Sequence, residues 1–563
     1  MTSSSRGGTL WEPALGDLVL ESGAAGRAVE LALRNPVQVV VDQGVLRHVA
    51  RHAAEAPDRP AVIDGERVLS YARLLHRVAE IRRILTGHGL GPGDVVAAAG
   101  ERCADTPAVF LAIESIGAVY LPIELSWPVG RISEVLRRGS AACLLDYAPA
   151  GGHAAAEAAA ERGLKTLRVE DESPSDAYDL SGGPLPDLDT PRSQATEVRY
   201  IIFTSGTTGV PKGATVEHRG MLNHLWAKIG DLSLGRDDVL AFTAPLVFDI
   251  SIWQMLAPLL VGGKVAVVRD ADLAYPRRLA GSLRRTGSTV VELVPTMVGW
   301  LAAEAARTGR DASAFRWLIS TGEELRPSLA GQVVDALPGT GLLNAYGPTE
   351  CSDDVTHHVV TRADLARRRL PVGRAIGNAV LYVLVADQRS GTWRAAEPGE
   401  AGDLFVGGLP VGLGYVNDAR ATAQAFFTDT LDPASPTGRL YRTGDLARVE
   451  DGVVHYLGRR DRQVKVAGVR LELDEIEAVL GRHPAVEHCA VTVSETSGAS
   501  ELTAHYVPRR SVSTEELKEF LALSLPAQLI PRRWSQLTVI PLTPNGKIDH
   551  RSLRETTSQE TEQ

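Results

Sequence analysis

The chain has 563 residues, 44% hydrophobic and 23% charged, which exceeds what one core normally holds and predicts two or more soluble domains. Its formal net charge of −10 argues against broad nucleic-acid or anionic-membrane binding. The four cysteines, Cys103, Cys143, Cys351 and Cys489, form no C-x-x-C pair, which argues against a zinc site or disulfide framework and leaves buried free thiols.

Residues 1–8 are polar and lack the apolar core of a signal peptide. No apolar run approaches the ~20 residues of a membrane helix, so a soluble, cytoplasmic protein is expected. Residues 1–44 match no pattern and are expected to form an extension, an arm packed on the main body. The spacing Val45, Val49, Ala53 predicts a helix, followed by a short strand at Ala61-Val62-Ile63. Residues 154–162 are alanine-rich with few anchoring groups, which predicts a surface helix. Residues 171–197, rich in Asp, Ser, Pro and Gly, predict a long loop.

β-branched runs at 200–203, 264–268 and 289–293 alternate with helical patterns at 279–285 and 297–306, the mark of α/β layers with largely parallel sheets. Glycines and short strands between 399 and 458 predict a small β subdomain. Beyond Asp461, strand patterns at 464–466, 469–473, 488–493 and 502–507 combine with helices starting at Asp474 and Thr514. The predicted class is α/β: a large domain of layered α/β subdomains plus a β subdomain over 45–460, then a small mobile α+β domain over 461–563.

The strand at 200–203 runs directly into Thr204-Ser205-Gly206-Thr207-Thr208-Gly209-Val210-Pro211-Lys212-Gly213. Glycines let backbone amides approach an anion, hydroxyls donate hydrogen bonds, and a lysine adds positive charge. The spacing is not that of a Walker loop. On composition alone, phosphate binding and a plain flexible loop stay equally open.

Other stretches accompany the loop along the chain. They are Leu69-Ser70-Tyr71, Gly117-Ala118-Val119-Tyr120-Leu121-Pro122-Ile123, Asn344-Ala345-Tyr346-Gly347-Pro348-Thr349-Glu350, Tyr441-Arg442-Thr443-Gly444-Asp445-Leu446, Gly458-Arg459-Arg460-Asp461-Arg462-Gln463-Val464-Lys465 and Asn545-Gly546-Lys547-Ile548-Asp549. With the loop, they resemble the core motifs of adenylate-forming (ANL superfamily) enzymes over residues 45–552, and most closely nonribosomal peptide synthetase adenylation domains.

The resemblance implies ATP and Mg²⁺. Thr204, Ser205, Gly206, Thr207, Thr208, Gly209, Lys212, Tyr346, Asp445 and Arg459 would bind ATP, with Tyr346 stacking on adenine and Asp445 accepting the ribose hydroxyls. Glu350 would be the metal ligand, with Thr349 beside the α-phosphate and Lys547 as the catalytic cation at the substrate carboxylate. By themselves Lys547 reads as a solvated lysine in an Asn-Gly turn, and Glu350 and Asp445 as surface carboxylates. Asp461 would be the hinge about which Lys547 is exchanged for residues 465–468. Ala467 stands where the family usually has arginine, which bears on carrier contacts, and Asp403 and Leu413 replace a usual glutamate and arginine.

Phe248-Asp249-Ile250-Ser251-Ile252-Trp253 resembles the family motif whose aspartate binds an α-ammonium. The matching substrate pocket is Asp249, Ile250, Trp253, Glu292, Ile319, Thr321, Ala345, Asp353 and Asp354, closed by Lys547. Glu292 interrupts the apolar run Val290-Val291-Glu292-Leu293-Val294. A buried carboxylate needs a partner cation, either an internal Arg or Lys or, the favoured reading, a substrate ammonium. Trp253 narrows the space, and the set also resembles pockets for 2,4-diaminobutyrate. That acid ranks first, before ornithine, 2,3-diaminopropionate and lysine, which differ by methylenes worth only ~1–3 kcal/mol each.

The expected activity is therefore amino-acid adenylation, with release of pyrophosphate and transfer to a carrier phosphopantetheine in natural-product (antibiotic) biosynthesis. Only sixteen residues follow Lys547, so the carrier is expected to be a separate protein. The resemblance also suggests an MbtH-like helper at the β-rich region after Gly407. An acyl-CoA ligase is opposed by Asp249 and the acidic pocket, and a non-catalytic partner by Lys547 and Glu350.

Overall fold

The computed structural model describes residues 14–149, 153–170, 185–186, 188, 194–205, 210–308, 315–387, 389–460, 463–466, 469–496, 499–541, 548–550 and 552–553. Two sheets carry the large domain. One has nine strands, with Pro60–Asp64, Val239–Phe242, Lys264–Val267, Val290–Leu293, Trp317–Ser320 and Gly341–Tyr346 all parallel and antiparallel strands only at its edges. The other has seven, built on a parallel group that includes Val95–Ala99, Val119–Ile123, Ala141–Asp146 and Val198–Thr204. Parallel strands are covered on both faces, which is why they read as continuous apolar runs.

The largest core lies between these sheets. It takes side chains from both and from the helices Val45–Glu55, Tyr71–Gly87, Thr106–Ser115, His218–Leu232 and Ile250–Leu260. Ser70 caps the second of these by accepting the Arg73 amide at 3.2 Å, and buried Tyr71 ties it to the Gly263 carbonyl at 2.8 Å. Outer cores cover the remaining sheet faces, with Pro276–Thr286, Pro295–Thr308 and Pro327–Ala336 on one and Val129–Arg138 and Ala154–Glu161 on the other. The alanine-rich helix is thus no loosely held surface element. Ala155, Ala158 and Ala159 are fully buried, because small side chains let the helix approach the sheet closely.

The predicted β subdomain is a seven-stranded antiparallel sheet centred on Ala379–Ala386, Gly402–Gly408 and Arg439–Glu450. The arm packs on it. Leu33–Arg34 adds an edge to Ala379–Ala386, and helix Ala24–Leu31 with Leu18 and Ala28 covers Tyr382, Leu384 and Phe405. The C-terminal strands Val486–Thr496, Ala499–Pro508 and Arg533–Gln536 form their own sheet and share a core with helices Leu473–Leu480 and Thr514–Ala522. The predicted boundary residue Asp461 lies outside the described residues. All four cysteines are free, Cys143 and Cys351 buried and Cys103 and Cys489 only partly so. Among the described residues no helix is long and apolar enough to cross a membrane.

Candidate active site

Side chains alternate along a strand. In Val290–Leu293 and its parallel neighbours, Val291, Leu293, Leu318 and Leu342 face an outer core, whereas Val290, Ile319, Leu343 and Ala345 face the central helices. Glu292 shares the inward face with Val290, in register with Ile319. The predicted pocket residues Glu292, Ile319 and Ala345 therefore converge towards the carboxyl ends of adjacent parallel strands, where open α/β sheets bind ligands.

Two helices meet them. Asp249 caps Ile250–Leu260, its Oδ1 accepting the Ile250 amide at 3.0 Å, and Trp253 follows one turn later on the same face. Helix His218–Leu232 supplies His224 and Lys228, also one turn apart. The Lys228 ammonium lies 2.8 Å from Glu292 Oε1, 2.7 Å from Asp354 Oδ2 and 4.0 Å from the Trp253 ring centroid. The Trp253 indole N–H donates to the other Glu292 oxygen. The expectation that a substrate ammonium partners Glu292 is therefore corrected: the partner is Lys228, and both side chains have no solvent exposure. Such a contact combines an ion pair, a hydrogen bond and a cation–π interaction.

A strained turn brings the two aspartates in. After Thr349–Cys351, Ser352 has φ 69° and Asp353 φ 112°, a conformation costing ~1–3 kcal/mol per residue outside glycine. The turn folds back on Gly347, where a Cβ would lie 2.0 Å from the Asp353 carbonyl oxygen. Asp354 faces Lys228, the Thr321 hydroxyl at 3.4 Å and His357 Nε2 at 3.6 Å, and His357 Nδ1 pairs with Asp231 at 2.7 Å. Asp353 Oδ2, like Asp354 Oδ2, has no hydrogen-bond partner of good geometry among the described residues, and His224 Nε2 lies 3.0 Å and Lys228 Nζ 3.9 Å from it.

The protonation states follow. Burial works against the Lys228 ammonium, but Asp354, Glu292 and Asp353 outweigh it and hold its pKa above normal. Burial also opposes ionisation of Asp354, yet Lys228 and His357 keep its pKa below normal. Glu292 is pushed up to about 7 by burial, with Lys228 opposing. Burial, then Asp354 and Asp249, raise Asp353 well above the carboxylate range. His224 is driven down to about 3 by burial and Lys228, so it is a neutral neighbour of Asp353. Asp249 is raised by burial, opposed by a hydrogen bond from Thr349.

Among the residues predicted to bind ATP, Tyr346 donates to Asp445 Oδ2 at 2.5 Å, and Arg459, the cross-strand partner of Asp445, contacts Oδ1 at 2.7 Å. Glu350 is buried and accepts from the Tyr415 hydroxyl at 2.6 Å, while the Lys212 ammonium sits 5.6 Å from the Tyr415 ring centroid. Thr204 and Lys212 are cross-strand neighbours at the base of the predicted phosphate loop, joined by a 3.4 Å hydrogen bond, and Ser205 is buried beside them. Gly206, Thr207, Thr208, Gly209, Asp461 and Lys547 fall outside the described residues. Asp403 is buried and pairs with Arg442 at 2.7 Å and with Arg460 at 3.0 Å, a structural role for a departure from the family pattern. Sequence reasoning missed Lys228, His224, His357, Asp231 and Tyr415. The available signal was Lys228 itself, at a core position in the stripe Met221, Leu225, Leu232.

Residues 49–416 match the AMP-binding enzyme family and residues 475–547 its C-terminal domain. The chain is 35% identical over 513 residues to phosphinothricin tripeptide synthetase PhsB of Streptomyces viridochromogenes, covering 90% of this chain and 41% of that protein. It is 32% identical over 511 residues to tyrocidine synthase 3 of Brevibacillus parabrevis, covering 90% of this chain and 7% of that one. The chain thus spans less than half the length of both curated relatives. Its fold superposes on PA1221, a nonribosomal peptide synthetase protein containing adenylation and PCP domains, with TM-score 0.77 and 27% identity over 92% of this chain and 84% of that one. With its family match running through residues 49–416, the chain belongs to the AMP-binding enzyme family, an adenylate-forming ligase with the α/β fold of nonribosomal peptide synthetase adenylation domains.

Proposed function

We propose that this enzyme activates a short diamino acid with ATP, 2,4-diaminobutyrate ahead of ornithine, 2,3-diaminopropionate and lysine, and passes it to the phosphopantetheine thiol of a carrier protein. One observation carries the substrate reading. Lys228 serves Glu292 and Asp354 at 2.8 and 2.7 Å but stands 3.9 Å from Asp353, and among the described residues no Lys or Arg pairs with Asp249. Two buried carboxylates, Asp249 and Asp353, are thus matched to two ammonium groups, the α-amine and one on the side chain. Thr349, bonded to Asp249, belongs to the turn that carries Asp353, so the two ammonium groups would be close together. The side-chain cation is accordingly read at Asp353 rather than at Glu292.

In the reaction the substrate carboxylate attacks the α-phosphorus and pyrophosphate leaves, so positioning and charge neutralisation do most of the work. Asp445 and Tyr346 would orient the nucleoside, the loop with Lys212 would hold phosphates, and Lys547 would neutralise charge at the reacting carboxylate. Glu350 is a single hard-oxygen donor, and among the described residues no group of three or more His, Cys, Asp or Glu is arranged to hold a metal. That fits Mg²⁺, which is commonly held by one or two carboxylates and substrate phosphates. When bound, the ion would withdraw charge from the phosphate oxygens. Asp461 would be the hinge between units 45–460 and 461–563, with residues 1–44 as an extension, and an MbtH-like helper would bind after Gly407.

A small neutral amino acid is the second reading, favoured because Lys228 already compensates Glu292 and Asp354. Amino-acid-dependent pyrophosphate exchange decides. Exchange with 2,4-diaminobutyrate well above alanine supports the first reading. Exchange only with neutral amino acids supports the second, and exchange only with fatty or aromatic acids sinks both.

A further inference from the structure

Lys228 comes from a helix that lies outside the residues matched to the substrate pocket, yet its ammonium sits in their midst. It has no solvent exposure, and its three close neighbours Glu292, Asp354 and the Trp253 ring come from three different elements. A buried ammonium held on several sides is a fixed part of the wall rather than a mobile surface charge. Trp253 lies four residues beyond Asp249 along one helix face, which is about 6 Å of helix axis. The Lys228 ammonium lies over the ring of this Trp253, one helical turn beyond the carboxylate that faces an α-amine in the order of the helix.

We propose that Lys228 is the length gauge of the pocket: a resident counter-ion that occupies its deep end and holds the two carboxylates a longer substrate cation would have to use. This rests on the reading of Asp249 as the α-ammonium site. A side chain that ends level with Asp353 meets a carboxylate that Lys228 approaches only to 3.9 Å, whereas one or two further methylenes carry its ammonium closer to that of Lys228. There it meets like charge, and Glu292 and Asp354 are already engaged. Length discrimination thus gains a repulsive element beyond the small difference a methylene provides in an apolar pocket.

The test compares wild type with Lys228→Ala in pyrophosphate exchange, reading kcat/KM for 2,4-diaminobutyrate, ornithine and lysine, and for 2-aminobutyrate and norleucine. Removing the lysine frees both space and carboxylates, so the ornithine/diaminobutyrate and lysine/diaminobutyrate ratios should each rise at least tenfold. Because Lys228→Ala strands buried charge, Lys228→Ala/Glu292→Gln serves as the second variant if the single one fails to fold. Ratios within twofold of wild type in a folded variant overturn the gauge. If wild type itself prefers 2-aminobutyrate to 2,4-diaminobutyrate, the diamino-acid reading fails instead. The norleucine/2-aminobutyrate ratio then decides the gauge alone, a tenfold rise upholding it and no change overturning it.

Discussion

The adjacent residues Asp353 and Asp354 should respond in opposite ways to the same substitution. Asp354 Oδ2 is 2.7 Å from the Lys228 ammonium and Asp353 Oδ2 is 3.9 Å from it. Asp354→Asn breaks a buried ion pair and leaves Lys228 under-compensated, a change that typically costs ~3–5 kcal/mol of stability. Asp353, whose pKa burial and Asp354 raise well above the carboxylate range, stands 3.9 Å from Lys228 and is nearly isosteric with asparagine. Asp353→Asn should therefore fold with a melting temperature close to wild type. Its effect should appear with substrate, because an ammonium facing an amide loses a buried charge partner worth ~2–5 kcal/mol. At 1.36 kcal/mol per tenfold, even about 2 kcal/mol lowers kcat/KM for 2,4-diaminobutyrate about 30-fold. Exchange with 2-aminobutyrate should change by less than about threefold on the same reasoning. Differential scanning fluorimetry and pyrophosphate exchange on both variants read the two effects. Equal losses for the charged and the neutral substrate in Asp353→Asn, or an unaffected melting temperature in Asp354→Asn, would refute this division of labour.

Tyr415→Phe removes the 2.6 Å hydrogen bond to Glu350, and bonds to charged groups contribute ~1.5–3 kcal/mol, so exchange should fall about tenfold or more and need higher Mg²⁺; unchanged Mg²⁺ dependence contradicts the link. Glu292 is raised by burial from 4.5 to about 7, so its contribution to stability is full below the unfolded value and lost as pH rises through the folded one. Wild type should therefore lose thermal stability relative to Glu292→Gln as pH rises from 4.5 to about 7, and a pH-independent difference counts against that pKa. A chain lacking residues 1–34 uncovers Tyr382, Leu384 and Phe405, so it should melt earlier or aggregate while keeping its substrate ranking. An unaltered melting curve would show that the arm's packing contributes nothing.

The parallel strands were legible because β-branched runs alternated with helical patterns, and Glu292 stood out as the one carboxylate in such a run. Its partner was harder to see. Lys228 is 64 residues away in sequence, and only the packing of helix His218–Leu232 over the strand ends brings the two together. A lysine at a core position of an amphipathic stripe was the signal, but many such lysines turn outward and extend to solvent. Tyr415 illustrates a second limit: it lies in a two-residue strand of a glycine-rich stretch, and no periodicity connects it to Glu350. The helix Ala154–Glu161 shows a third, since alanine gives little hydrophobic signal yet permits the closest packing.

Competition measures the central claim most directly. With equimolar 2,4-diaminobutyrate and 2-aminobutyrate, ATP and Mg²⁺, mass spectrometry of the adenylates formed gives the ratio of kcat/KM values without any calibration between assays. The two acids have the same carbon chain and differ by the terminal ammonium that Asp353 is proposed to read. The account predicts that diaminobutyryl-AMP dominates by at least tenfold. Equal amounts, or an excess of the neutral adenylate, would contradict it and leave Lys228, rather than a substrate ammonium, as the cation that the acidic cluster holds.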